Sequence, residues 1–231
     1  MTSSPKKGIT RVTWNLRTTS TSPVNKSKTK DGALVIPGNY SVEVVQLKDG
    51  EITPIASQTP FKVIGLNNQT LLASNNDELE TFRVEIAETG RKIDGSGRLL
   101  SESKEKLELY EAALINYPNT DLSLLKEIES LKNNLYNCEV LLWGDGIKSS
   151  HDTEAYTSIS SRASRVKWQL YSTTTGVTKT MRLNKEIAEE EYTDFRVMLD
   201  DVIKRLKTIE EKLISDNVPY IKGKDENWKE D

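Results

Sequence analysis

NDELETFRVEIAETGRKIDGSGRLLSESKEKLELYEAALIN, residues 76–116, decides what kind of protein this is. Leu79, Ile86, Ile93, Leu100, Leu107 and Leu114 recur every seven residues, with Phe82 and Tyr110 at the companion position. A strand buries alternate residues; a helix with one narrow apolar seam produces the seven-residue spacing. The stretch predicts a single helix of about 40 residues, roughly 60 Å long at 1.5 Å per residue. Its middle is atypical. The companion positions there are Thr89, Ser96 and Ser103, small and polar, and Gly90, Gly95 and Gly97 crowd the same region. Each glycine weakens a helix interior by about 1 kcal/mol, so a kink is expected there. Small residues would also permit close crossing by another helix or a partner.

Three later segments keep the rhythm. Leu124, Ile128, Leu131, Leu135, Cys138 and Leu142 follow the capping cluster Asn119-Thr120-Asp121 and predict a helix ended by Gly144 or Gly146. Ile159, Ala163, Val166 and Leu170 predict a shorter one. Ala188, Tyr192, Phe195, Leu199, Val202, Leu206, Ile209 and Leu213 predict a long one, stopped by Asn217, Val218 and Pro219. Short connections favour antiparallel neighbours, so residues 67–217 are expected to form an elongated antiparallel four-helix bundle, coiled-coil-like in its narrow seams. Such helices are marginal alone and must bury their seams against each other.

Upstream the period falls to two. In ITRVTWNLR, residues 9–17, Val12, Trp14 and Leu16 alternate with Arg11, Thr13, Asn15 and Arg17. Tyr40, Val42 and Val44 alternate in the same way, Lys48-Asp49-Gly50 signals a hairpin, and Ile52, Ile55, Phe61 and Val63 lie in return segments. Pro60 fits a strand start or an edge, having no N–H to donate. About four strands are expected, short of the roughly seven of an immunoglobulin-like sandwich. Residues 8–66 therefore read as a small antiparallel, partial immunoglobulin-like sheet, and 218–231 as a polar tail. The fold class is α+β. One sheet leaves a face bare unless something covers it, and with a strand eight residues from Met1 the expected cover for Trp14 is strands or a domain lying upstream.

Composition narrows function mainly by exclusion. The 231 residues are 35% hydrophobic and 29% charged with net charge −3, and no concentrated basic surface for nucleic acid is visible. Lys26, Lys28 and Lys30 sit in a Ser/Thr-rich loop and read as solvated charges. No apolar run reaches the roughly 18–20 residues of a membrane span, and MTSSPKKG lacks the apolar core of a signal peptide. The single cysteine, Cys138, lies on an apolar seam and reads as a buried, inert thiol.

Nothing assembles into a catalytic set. His151, with Asp145, Asp152 and Glu154 nearby, matches neither a calcium loop nor a zinc signature. GRKIDGSGR, residues 90–98, lacks the G-K-[ST] ending of a phosphate loop. In EIAEEEYTD, residues 186–194, the inward positions fall to Ala188 and Tyr192, leaving Glu186, Glu189, Glu190 and Asp194 mainly on a wet face. Trp143 and Trp168 read as packing residues, whereas Trp228, in the polar tail, stands out as a contact for the bundle or for another domain.

The order GITRVTWNLR then VIPGNYSVEV resembles the "RV-W-LR … PG-Y-V" pattern of an immunoglobulin-like module near the end of large secreted bacterial proteins. Those are sortilin-type β-propellers with sialidase-like repeats, often labelled glycosyl hydrolases. The likeness continues through FKVIGLNNQTL, the first long helix, SISSRASRVKWQLYSTTTGVTKT, and the ending NVPYIKGKDENW, with Pro219, Tyr220 and Trp228 at matching places. It implies a non-enzymatic accessory module, C-terminal to a propeller, in a secreted, periplasmic or cell-envelope protein. The implied partner is that upstream propeller, together with a protein or glycan. The chain contains no S-x-D-x-G-x-x-W box, so any hydrolase activity would belong to the propeller. The expected interaction residues are Trp14, Gly90, Gly95, Gly97, Tyr220 and Trp228, and no catalytic, cofactor or metal residue is assigned. A second expectation is a carbohydrate-binding module that uses the sheet face and exposed aromatics.

Overall fold

The structure is a computed structural model that describes residues 4, 7–23, 31–66, 75–117, 121–151, 156–216 and 218. It is α+β: a β-hairpin (β1 Gly38–Lys48, β2 Glu51–Val63) followed by five helices. These are α1 Asn76–Asn116, α2 Leu124–Trp143, α3 Gly146–Ser150, α4 Ile159–Ser172 and α5 Lys179–Ser215. The chain divides into two compact units, Met1–Glu85 with Lys167–Thr178, and Ile86–Val166 with Lys179–Asp231.

The seven-residue seam of α1 is buried along its whole length. Leu79, Ile86, Ile93, Leu100, Leu107 and Leu114 are at most 4% exposed, and the companion residues Phe82, Thr89, Ser96, Ser103 and Tyr110 are equally hidden. The helix is continuous through Gly90, Gly95 and Gly97. The seams of α2, α4 and α5 are buried as their spacing predicts, except at Leu124 and Tyr192, which are half-buried. Helix α2 ends where Gly144 takes φ +96°, a conformation that costs a glycine least. The five-residue α3, capped by the Asp145 carboxylate at the Ile147 and Lys148 amides, has no counterpart in the sequence reading. Cys138 is fully buried, and burial pushes its thiol up to about 11, so it is protonated and unreactive at neutral pH.

In the helical unit, side-chain pairs reveal the direction of each helix. Thr89 bonds Glu189, Arg196 bonds Ser96, and Tyr110 bonds Glu210. Sequence numbers rise together along α1 and α5, so the two run parallel. Between α1 and α2 the pairs are Lys104–Glu139 and Glu111–Lys132, and between α2 and α5 they are Glu127–Arg205 and Asp121–Lys212. There the numbers run oppositely, and α2 is antiparallel to both long helices. Arg162 of α4 meets Glu191 of α5. Ser158, just before α4, lies within 3.7 Å of where a Gly144 side chain would begin, just after α2. Within the helical unit, the start of α4 thus lies beside the end of α2. The expected up-and-down four-helix packing is not confirmed: within the helical unit α1 and α5 run parallel, with α2 antiparallel to both.

The strand expectations are corrected in part. Residues 9–17 contribute only an isolated bridge, Arg17 to Leu34, because Leu16 adopts φ +58° and ends the extended run. Val12 and Leu16 are exposed, at 52% and 43%. The two return segments are one strand, β2, which pairs antiparallel with β1 and carries two extra residues between Thr59 and Pro54. Asp49 and Gly50 both take positive φ, as an Asp-Gly hairpin turn requires. Among the described residues the sheet therefore has two strands, where about four are expected from the sequence.

Candidate interaction surface

The first unit is organised by two arginines and two aromatic groups. Arg83 follows the inward Phe82 and is itself buried. Its guanidinium donates to the carbonyls of Leu34 at 2.8 Å, Leu170 at 3.2 Å and Thr173 at 3.0 Å, with Glu80 beside it. Burial lowers its pKa, and Glu80 works against that. Arg17 Nη1 donates to the carbonyls of Gly32 and Tyr171, each at 3.2 Å, and its guanidinium carbon stands 4.0 Å above the Tyr171 ring. Leu170 and Tyr171 lie in the last turn of α4, whose carbonyls have no partner within the helix. Two cations therefore cap the negative end of α4 and tie it to segments about 90 and 150 residues earlier.

The aromatic group at the base of the hairpin explains Trp14. Its ring centroid lies 5.8 Å from Tyr40 and 6.0 Å from Phe61, which face each other across the strand pair, and its Nε1 donates to the Arg17 carbonyl at 2.9 Å. Edge and offset arrangements of this kind are favourable. The Tyr40 hydroxyl donates to the Ile36 carbonyl at 2.7 Å, and burial raises its pKa. Trp14 is thus a half-buried packing residue and not a free contact.

Beyond that cluster the hairpin is bare. Val42 and Val44 continue the Tyr40 face and are 47% and 53% exposed. On the opposite face Val45, Leu47 and Ile52 are 46%, 67% and 68% exposed, with Leu47 directly across from Ile52. The two edges differ. An antiparallel pair that exchanges both backbone bonds needs an N–H from each residue. Pro60, opposite Ser41, has none, so this is a pair whose backbone groups point away from the partner strand. The outer edge of β2 therefore lacks a donor at Pro60, and Pro54 removes another from the strand. β1 contains no proline, and its edge keeps every donor.

The second aromatic group corrects the packing expectation for Trp168. It is 69% exposed and stacks on Tyr171 with centroids 6.1 Å apart and planes 11° from parallel. In the helical unit only one of the three candidate glycines meets a neighbour. A Cβ on Gly97 would come 3.1 Å from the Trp143 indole and 3.6 Å from Leu142, whereas Gly90 and Gly95 face open space. Gly97 is therefore the point where the end of α2 crosses α1 closely. Gly95→Ala is expected to raise stability by about 0.5–1 kcal/mol through helix propensity alone. Gly97→Ala should gain less, because Trp143 must yield a few tenths of an ångström. Chemical denaturation of the two variants separates the roles, and equal gains would show that Gly97 is not a packing point.

Tyr220 and Trp228 lie outside the described residues, as do Lys26, Lys28, Lys30, Asp152 and Glu154. His151 ends α3, and among the described residues no three His, Cys, Asp or Glu side chains converge to hold a metal ion. Glu186, Glu190 and Asp194 are exposed, but Glu189 is half-buried. Its burial works toward a higher pKa, and bonds from Thr89 and Lys185 overcome this and hold it below the ordinary carboxylate value. No described helix is long and apolar enough to cross a membrane. The chain matches no family model, no curated protein and no solved structure.

Proposed function

We propose that this chain is a non-catalytic interaction module whose hairpin completes a sheet with a neighbouring domain. The observation that carries the reading is a pair of strands 11 and 13 residues long with branched apolar residues exposed on both faces. A two-stranded hairpin is marginal in water by itself, and exposed apolar surface of this kind marks sites of association. Strand addition is the economical use of such an element, since backbone bonds supply affinity and alternate side chains supply selectivity. β1, with its full set of donors, is the receiving edge. The resemblance drawn from GITRVTWNLR and VIPGNYSVEV names the candidate donor, a sortilin-type β-propeller upstream in the same polypeptide, and with it a secreted or envelope setting. Any glycoside hydrolysis would then be the propeller's.

Calorimetric titration of this chain with the separately produced upstream domain tests the reading. Binding is expected, and Val42→Lys/Val44→Lys should weaken it at least tenfold, because two charges would enter an apolar contact. Absence of binding, or equal affinity in the variant, would remove it. A carbohydrate-binding reading has one observation in its favour, the exposed Trp168 stacked on Tyr171. Polysaccharide titrations in which Trp168→Ala matches the native chain would eliminate that option.

A further inference from the structure

Along α1 and α5 the apolar residues repeat every seven positions, and such a pattern looks almost unchanged after one helix slides by seven residues. That slide would move α5 by about 10 Å along α1 while leaving leucine-like residues facing one another. Leucine contacts alone therefore cannot choose between the native alignment and its neighbours.

The polar companions can. Thr89 donates to Glu189 at 2.6 Å, and Lys185 donates to the other carboxylate oxygen at 3.0 Å. Seven residues on, Ser96 shares a 2.8 Å bond with the Tyr192 hydroxyl and accepts from Arg196 at 3.3 Å. Tyr192 also reaches the Lys92 carbonyl at 3.3 Å. Four turns further, Tyr110 bonds Glu210. Thr89, Ser96 and Tyr110 are at most 4% exposed, so any of these hydroxyls that lost its partner would be stranded away from water. A seven-residue slide would set Thr89 against Arg182 or Arg196 in place of Glu189, and Tyr110 against position 203 or 217 in place of Glu210.

We propose that Thr89, Ser96 and Tyr110, with Glu189, Tyr192 and Glu210, form a register lock that selects one alignment of α1 and α5 from those the apolar seam permits. The lock trades stability for uniqueness, as isolated polar residues in helical seams do. It stands independently of the hairpin reading.

The test is a distance measurement by double electron–electron resonance on the full chain. Spin labels are placed at the exposed positions Asp94 and Glu211 in a Cys138→Ala background, diluted with unlabelled protein. The native seam should give one narrow distance. Thr89→Val/Ser96→Ala/Tyr110→Phe/Glu189→Leu/Tyr192→Leu should melt at a higher temperature and show a second distance displaced by up to about 10 Å. Should that variant not fold, Thr89→Val/Ser96→Ala carries the same readout, with a smaller second population expected. A folded variant with only the native distance would overturn the proposal.

Discussion

Leu131→Asp is expected to abolish the cooperative melt of the helical unit. Leu131 is fully buried on α2, at the point where that helix faces both long helices. A carboxylate there either remains charged in an apolar seam or takes up a proton at neutral pH. Either route costs several kcal/mol on top of the lost leucine contacts, and the total exceeds about 5 kcal/mol. That is comparable with the whole stability of an ordinary domain. Leu206→Asp on α5, 4% exposed, should behave in the same way. The matched control is Leu109→Asp, on α1 but 48% exposed, which should shift stability by no more than about 0.5–1 kcal/mol. Circular dichroism melts read all three, and an unchanged melt for Leu131→Asp would contradict the burial of the seams.

Arg83→Met carries the second large effect. Methionine is about as long and fits an apolar site, but the carbonyls of Leu34, Leu170 and Thr173 would each lose a charged donor. A buried acceptor left without its bond costs about 1–3 kcal/mol, so a loss of roughly 3–5 kcal/mol is expected after partial relaxation. In a chain of this size that corresponds to a fall of about 10–15 °C in Tm for the affected unit. Arg83→Lys should recover only part of it, since an ammonium is a point donor and cannot span three carbonyls as a planar guanidinium does. A methionine variant as stable as the native chain would show that the clamp contributes nothing.

The helices were legible in the sequence because burial of a narrow seam leaves a seven-residue trace that surface residues cannot mask. Leu79 through Leu114, and Ala188 through Leu213 apart from Tyr192, are buried where that trace puts them. The relative directions of the helices were not legible. A two-in-seven seam records that each helix has an inward side, but not how many helices share the interior. The parallel pairing of α1 and α5 depends on bonds such as Thr89–Glu189, formed by residues a hundred positions apart. Four amphipathic stretches predict four helices for the same reason, and say nothing of which of them run parallel.

The sheet was read less well, and the causes are local. Val12, Trp14 and Leu16 alternate as a strand would, but the positive φ at Leu16 and the docking of Trp14 on Tyr40 and Phe61 replace strand pairing. Pro60 reads as a strand start or an edge, whereas β2 runs through it in register with Ser41. The arginines left no signal. Arg83 sits beside a seam, where most charged residues reach water, and only its three carbonyl partners distinguish it. Gly90 and Gly95 attracted notice by composition, and Gly97 alone earned it by packing.

Amide hydrogen exchange, resolved by residue on the chain alone, tests the central claim that the hairpin stands without its partner. Two strands with both faces wet should open locally far below the global unfolding free energy. Amides of β1 and β2 are therefore predicted to exchange orders of magnitude faster than those of Leu131, Leu199 and Leu206 in the buried helical seams. Protection of Val42, Val44 and Val45 as strong as that of these leucines would mean that the sheet is already complete, and would contradict the account.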